Sequence, residues 1–280
     1  MPGVAELIGP VTVVTGLGRG SGKTTLVDLA LPVARRAGPV AVFTVGVHAP
    51  APGAPRLVLA PGDLTLTTEP LARAADARLE ILDALPGRSA LGRLLLGRAV
   101  RGGEVAMVGP EHLSTLAGVV EAVRDAGWAA RVLVDGAVSR LTQASALGDH
   151  RFVQTASVTP ATLMGTVRRL RALEALAELP VASGPPPGGV RLDGPLTATV
   201  LEDFGPRPPA LSLADLTQCF LDPDATLRLL DGGGVSVRRR IDLRGTAVRL
   251  RDVTRDAFAA ALGRPPGVRY LFDPAQVRPC

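Results

Sequence analysis

The stretch V-T-V-V-T-G-L-G-R-G-S-G-K-T-T, Val11 to Thr25, decides the fold. Apolar and β-branched residues at 11–15 read as a buried strand. They enter a glycine-rich turn that ends in Gly22-Lys23-Thr24-Thr25, and an apolar helix-like segment follows. Strand, glycine loop, Lys-Thr and helix, in that order, is the layout of a phosphate-binding P-loop. Glycines let successive backbone N–H groups turn toward one point, and the helix start adds its own N–H groups and positive dipole end. Gly16, Gly18, Arg19, Gly20, Ser21, Gly22, Lys23, Thr24 and Thr25 are therefore candidate nucleotide-binding residues. Lys23 would meet the β- and γ-phosphates of ATP, and the Thr24 hydroxyl would ligate Mg²⁺. Arg19 either reinforces the positive charge or faces solvent.

Composition supports the same site. Of 31 Lys plus Arg, Lys23 is the one lysine. A compact ammonium fits between phosphates where a planar guanidinium does not. The usual spacing puts a glycine six residues before the lysine, but Leu17 stands there. The glycines alternate instead at 16, 18, 20 and 22, a spaced variant of the loop.

At 280 residues the chain can hold one large or two modest domains. Its 46% hydrophobic content argues against disorder, and 3% aromatics leave Leu, Val and Ala to build the core. The net charge of +5 comes from scattered arginines, with Arg238-Arg239-Arg240 as the single basic triplet. That triplet reads as a solvated strand end, and no aromatic-interleaved basic stripe points to nucleic acid. Cys219 and Cys280 lack metal-ligand spacing and read as thiols of a reducing cytoplasm. The chain reaches the glycine loop at once with no basic leader, so no signal peptide is expected. It has no 18-residue uncharged apolar run, so no membrane span is expected either.

Taken in order, a helix begins at 24–31, and Pro32 is expected to kink or end it by removing the bond to Asp28. Val40 to Val45 reads as a second buried strand. Residues about 49–104 read as a β-rich insertion. Within it, 56–60 and 64–68 form a hairpin around Pro61-Gly62-Asp63, and a short helix covers 70–83. Leu94 to Val100 and Val105 to Val108 are strand candidates, and Leu113, Leu116, Val120 and Val123 have helical spacing closed by Gly127. Arg131 to Asp135 and Phe152 to Gln154 are further strands, the latter followed by Thr159 as N-cap and Pro160 at the first helical position.

Repeated β-α units imply a doubly wound parallel sheet of the P-loop NTPase kind. The expected organisation is a nucleotide-binding domain over 1–180, a Pro/Gly linker at 181–192 and a small C-terminal α/β subdomain over 193–280. In the last part, Thr197 to Leu201, Ile241 to Leu243, Val248 to Leu250 and Val268 to Phe272 read as strands, with helices near 212–220, 223–230 and 254–262.

Asp135 ends an apolar strand, where a carboxylate reaches Mg²⁺ through water, so Lys23 and Asp135 are the candidate catalytic pair. Thr24 and Asp135 are the candidate metal-site residues. Arg140 either touches phosphate or lies on the surface. Glu111 could orient water or simply favour a helix start. His48, His112 and His150 show no ligand spacing.

These residues carry a family resemblance. Gly16 to Thr25, G-L-G-R-G-S-G-K-T-T, resembles the G-L-A-K-N-A-G-K-T-T loop of the smaller subunit of the lysine 5,6-aminomutase reactivase, extra loop residue included. Val134 to Arg140, V-D-G-A-V-S-R, is similar to that family's D-G-A-x-x-R stretch, and Thr155 to Pro160, T-A-S-V-T-P, to its T-G-A-x-x segment. Gly62 to Glu69, Ala77 to Leu82 and Gly103 to Pro110 follow the family's order. The resemblance covers most of the chain and is weaker after 193. Two departures stand out: no acid follows Thr44-Val45-Gly46, and the loop's Lys-Asn pair is Arg19-Gly20 here.

The resemblance implies a cytoplasmic ATP-dependent reactivating factor. It would work with a larger partner subunit on an adenosylcobalamin-dependent lysine or ornithine aminomutase, releasing damaged cobalamin. It also implies that Asp135 to Arg140 face the nucleotide. The alternatives are a P-loop small-molecule kinase and a nucleotide-binding accessory of cofactor biosynthesis.

Overall fold

A computed structural model describes residues 3–18, 20–48, 57–89, 91–110, 113–136, 150–263 and 270–273. The chain divides into two compact units. The first holds Met1–Ser157, Arg244–Arg249 and Val268–Cys280, and the second holds Val158–Leu243 and Leu250–Gly267.

In chain order, α1 (Val4–Leu7), β1 (Val11–Gly16), α2 (Lys23–Arg35), β2 (Val40–Thr44) and β3 (Val47–His48) come first. Then follow β4 (Val58–Leu59), β5 (Leu64–Thr68), α3 (Glu69–Arg73), β6 (Arg78–Ser89), β7 (Gly92–Arg101), β8 (Gly103–Glu104) and β9 (Met107–Val108). Next are α4 (Leu113–Asp125), β10 (Arg131–Asp135), β11 (Arg151–Val158), α5 (Leu163–Ala177), β12 (Val190–Arg191), α6 (Ala198–Asp203) and β13 (Leu211–Leu213). A 3-10 turn at Leu216–Gln218 leads to α7 (Pro223–Asp231), β14 (Val235–Val237), β15 (Asp242–Leu250), α8 (Arg255–Leu262) and β16 (Tyr270–Phe272).

The first unit is built on a nine-stranded sheet in the order β16-β15-β11-β1-β10-β2-β5-β7-β6. It is mostly parallel. β1 lies between β10 and β11, β10 pairs β2, and β2 pairs β5, all in parallel. β15 and β16 are also parallel, while β7 runs antiparallel to both β5 and β6. Strands β1, β2 and β5 are buried along their whole length, as a covered parallel sheet requires. Helix α2 buries Leu26, Val27, Ala30, Leu31 and Ala34, the i, i+4, i+8 stripe of one helix face. That stripe joins Val14, Val40, Val42, Leu133 and Val153 in one apolar cluster. Each buried Leu or Val contributes about 1.5–3 kcal/mol.

A buried carboxylate ties the amino end of this sheet. Asp63, 1% exposed, accepts bonds from Arg35 Nε and Nη2 at 2.9 and 2.6 Å, from the Val40 N–H at 3.1 Å and from the Ala60 N–H at 2.8 Å. This explains the first departure from the sequence expectation. Pro61-Gly62-Asp63 does turn, with the Asp63 N–H on the Ala60 carbonyl at 3.0 Å, but the flanking segments do not pair with each other. β4 pairs with β8, while β5 becomes an inner strand between β2 and β7. A strand buried on every residue needs a neighbour on each side, which a two-stranded hairpin cannot supply.

Other expectations also give way to tertiary pairing. The helix over 70–83 is confined to α3, because Arg78 onward pairs along β7. Met107–Val108 is a short strand antiparallel to β3, in a sheet separate from the nine-stranded one. Helix α2 runs through Pro32 to Arg35 without ending; Asp28 and Pro32 are both exposed, so water can take the carbonyl that the proline leaves unbonded. Helix α5 starts at Leu163, because Thr159 does not cap it; its N–H is bonded to Thr162 Oγ1 at 2.9 Å within a turn.

The second unit carries its own parallel sheet, β12-β13-β14, extended by a parallel bridge from Val181 to Val237. Residues 181–192, expected as a linker, lie inside this unit. Helix α5 packs against α7 and α8. Thr197 to Leu201, expected as a strand, is helix α6 capped by the Thr197 hydroxyl on the Val200 N–H. Ile241–Leu243 and Val248–Leu250 are not separate strands of a small subdomain: β15 is continuous and, with β16, belongs to the large sheet. The arginine triplet is not simply solvated. Arg239 pairs with buried Asp215 at 2.8 Å, Arg238 donates to the Ser212 carbonyl at 3.1 Å and Arg240 donates to the Leu179 carbonyl at 3.2 Å. Among the described residues no helix is long and apolar enough to cross a membrane.

Candidate functional site

The site forms at the carboxyl ends of β1, β10 and β11. Register places Asp135 beside Val14 on β1 and Thr44 on β2, and places Thr155 beside Gly16. In an open parallel sheet this edge is where ligands bind. Beyond Gly16 the chain turns into α2, whose N-cap is Gly22 at φ +96°. A side chain there would be strained, and Gly22 supplies no side-chain cap. The first N–H groups of α2 therefore lack a capping side chain, the arrangement that attracts an anion.

Gly16 is glycine for a different reason. A Cβ at this position would overlap Ser21 Oγ and sit 2.9 Å from Thr155 Oγ1. The loop is folded onto the end of β11 so closely that no side chain fits. The Leu17 N–H donates to the Thr155 carbonyl at 3.0 Å, and the Ser21 and Thr155 hydroxyls are 2.9 Å apart.

Two sequence candidates meet across 111 positions. The Thr24 hydroxyl donates to Asp135 Oδ2 at 3.1 Å. Asp135 is 5% exposed, and its backbone carbonyl accepts the Val45 N–H at 3.1 Å and the Thr44 hydroxyl at 3.3 Å. The next residue is held too: the Gly136 N–H donates to the Val14 carbonyl at 2.8 Å. The ammonium of Lys23, the first residue of α2, makes no hydrogen bond or ion pair with a described residue. A hydroxyl and a carboxylate at this separation can share a hard divalent cation, and the adjacent ammonium and helix start can hold phosphate oxygens. Among the described residues no group of three or more His, Cys, Asp and Glu could hold a metal, so such a cation would also draw on its ligand's oxygens.

Arg19, Arg140, Glu111, His112 and Cys280 lie outside the described residues. Gly18, Gly20 and Thr25 lie on the loop and the first turn of α2, with Gly20 at φ +68°. His150 is buried just before β11. Sequence reasoning missed Thr15, Gln154 and Thr155, which line the base of the loop. The Thr15 hydroxyl donates to Gln154 Oε1 at 2.8 Å, and the Thr155 hydroxyl donates to the Thr15 carbonyl at 3.0 Å. The signal was present: Gln154-Thr155 is a polar pair directly after the apolar Phe152-Val153 of the strand F-V-Q-T-A-S-V. Buried polar residues in a strand demand partners.

No family model, curated protein or solved structure matches the chain.

Proposed function

We propose that this chain binds ATP with Mg²⁺ on the Gly16–Thr25 loop and hydrolyses it. In this reading the first unit is a doubly wound sheet of the P-loop NTPase kind. The single observation that carries it is the 3.1 Å bond from Thr24 to Asp135. Those are the two side chains, one from the loop and one from a neighbouring strand end, that such a site needs beside its cation.

Each residue then has a task. The backbone N–H groups from Gly18 to Thr25 receive the phosphate oxygens, and Lys23 places its ammonium against the β- and γ-phosphates. Thr24 would hold the magnesium directly, and Asp135 would hold it through water. Bound magnesium neutralises the charge that builds on the phosphate oxygens. The resemblance of the loop and of Val134 to Arg140 assigns the hydrolysis to a purpose. The chain serves, with a larger partner subunit, as the cytoplasmic reactivating factor of an adenosylcobalamin-dependent lysine or ornithine aminomutase. Turnover changes the loops around the phosphates and so the hold on the partner.

Calorimetric titration of the folded protein with Mg-ATP tests the site. Heat of binding is expected, and its absence removes the proposal. Hydrolysis that rises only when aminomutase or partner subunit is added supports the reactivating role. Phosphate transfer to a metabolite instead makes the protein a kinase.

A further inference from the structure

Thr155 has no part in the site as proposed, yet it touches both arms of the loop. It is 1% exposed and lies on β11 in register with Gly16. Its carbonyl accepts the Leu17 N–H at 3.0 Å, on the arm entering the glycine turn. Its hydroxyl lies 2.9 Å from Ser21 Oγ, on the arm leaving that turn. Its hydroxyl also donates to the Thr15 carbonyl at 3.0 Å.

The protons can be placed. A threonine hydroxyl has one proton, and Thr155 uses it on Thr15. Ser21 must therefore be the donor in the Ser21–Thr155 pair. The Ser21 hydroxyl then has no proton left for a phosphate oxygen. Behind this pair, Gln154 closes a circuit. It accepts from the Thr15 hydroxyl at 2.8 Å and its Nε2 donates to the Thr155 carbonyl at 3.4 Å.

We infer that Thr155 is a positioning residue, a clasp that fixes both arms of the phosphate loop before the ligand arrives, and that Ser21 serves the clasp and not the phosphate. This rests on the nucleotide reading above. The reason is entropic. A loop ordered only on binding subtracts its ordering cost from the affinity, whereas a loop already held in place does not. The clasp also explains why position 16 excludes a side chain: a Cβ would occupy the space of the Ser21 hydroxyl.

The test is a double-mutant cycle read by Mg-ATP titration. Thr155→Val keeps the shape and the backbone carbonyl but removes the hydroxyl, and the dissociation constant is expected to rise about tenfold. Ser21→Ala is expected to weaken binding by a similar factor. The double variant should bind no more weakly than Thr155→Val alone, because that change already removes the Ser21 contact along with the bond to Thr15. Thr155→Ser should restore affinity to within about twofold of wild type. Ser21→Ala also covers the case in which Thr155→Val folds poorly, since it breaks the same contact from the loop side. Unchanged affinity in Ser21→Ala, or losses that add in the double variant, overturns the clasp while wild-type binding stands. Failure of the wild type itself to bind Mg-ATP is a separate result, and it removes the nucleotide site together with the clasp.

Discussion

The two ends of the parallel sheet are held by opposite kinds of chemistry. At its amino end a buried carboxylate, Asp63, meets a guanidinium and two backbone N–H groups, with partners between 3 and 28 positions away. At its carboxyl end the ties run through neutral hydroxyls: Thr44 to the Asp135 carbonyl, Thr24 to the Asp135 carboxylate, and Ser21 beside Thr155. Those partners are 91, 111 and 134 positions apart. A matched ion pair with its lone pairs filled is a finished structure. The Thr24 hydroxyl can exchange the Asp135 carboxylate for a cation at little cost while the Ser21–Thr155 pair holds the loop, and the Lys23 ammonium beside them makes no bond with a described residue. One end holds the sheet together, and the other, in the proposed function, receives a charged ligand.

The contrast can be broken from either side. Lys23→Ala should weaken Mg-ATP binding by about 100-fold or more, since it removes the charge aimed at the phosphates. The thermal midpoint should stay within a degree or so of wild type; calorimetry and a melting curve report both. Asp135→Asn should lower the hydrolysis rate by about 100-fold while changing ATP affinity by less than about tenfold. Phosphate release set against titration separates the two effects, and an unchanged rate rejects the metal role. Asp63→Asn should do the reverse, leaving ATP affinity unaltered. It should cost about 2–3 kcal/mol in urea unfolding, less than for a fully buried pair because Arg35 is 27% exposed.

The smallest expected effect lies outside both ends. Thr254 caps α8 through a 3.1 Å bond from the Ala257 N–H. Thr254→Ala should cost about 1 kcal/mol with no change in nucleotide binding. A change in binding there would mean that the site depends on more than the ends of the first unit's strands.

How much of this was legible depends on the distance over which each feature is decided. The strand at 11–15, the glycine turn and the helix that follows it could be read directly, because each is set by neighbours within a few residues. Asp135 could be read as a strand-end carboxylate, since the apolar run Val132 to Val134 ends in it. Thr155 could not. Its role exists only because β11 lies beside β1, and the strand order that puts it there has no local signature. The region 56–83 misled for the same reason. Pro61-Gly62-Asp63 turns as its residues demand, but Arg35 and Val40 capture the Asp63 side chain and send the chain into the sheet. Arg78 onward has a helix-compatible sequence, yet the β7 ladder takes it.

Taken alone, the amino-acid order determined a glycine loop with one lysine between a buried strand and a helix, because backbone conformation at Gly20 and Gly22 and hydrogen bonding within α2 are local matters. Tertiary structure alone decided what faces that loop. Placing β1 between β10 and β11 brings Asp135 to Thr24 and Thr155 to Ser21. Pairing between parallel strands is chosen by burial across the whole sheet, and no short stretch of residues encodes which strand will be its neighbour.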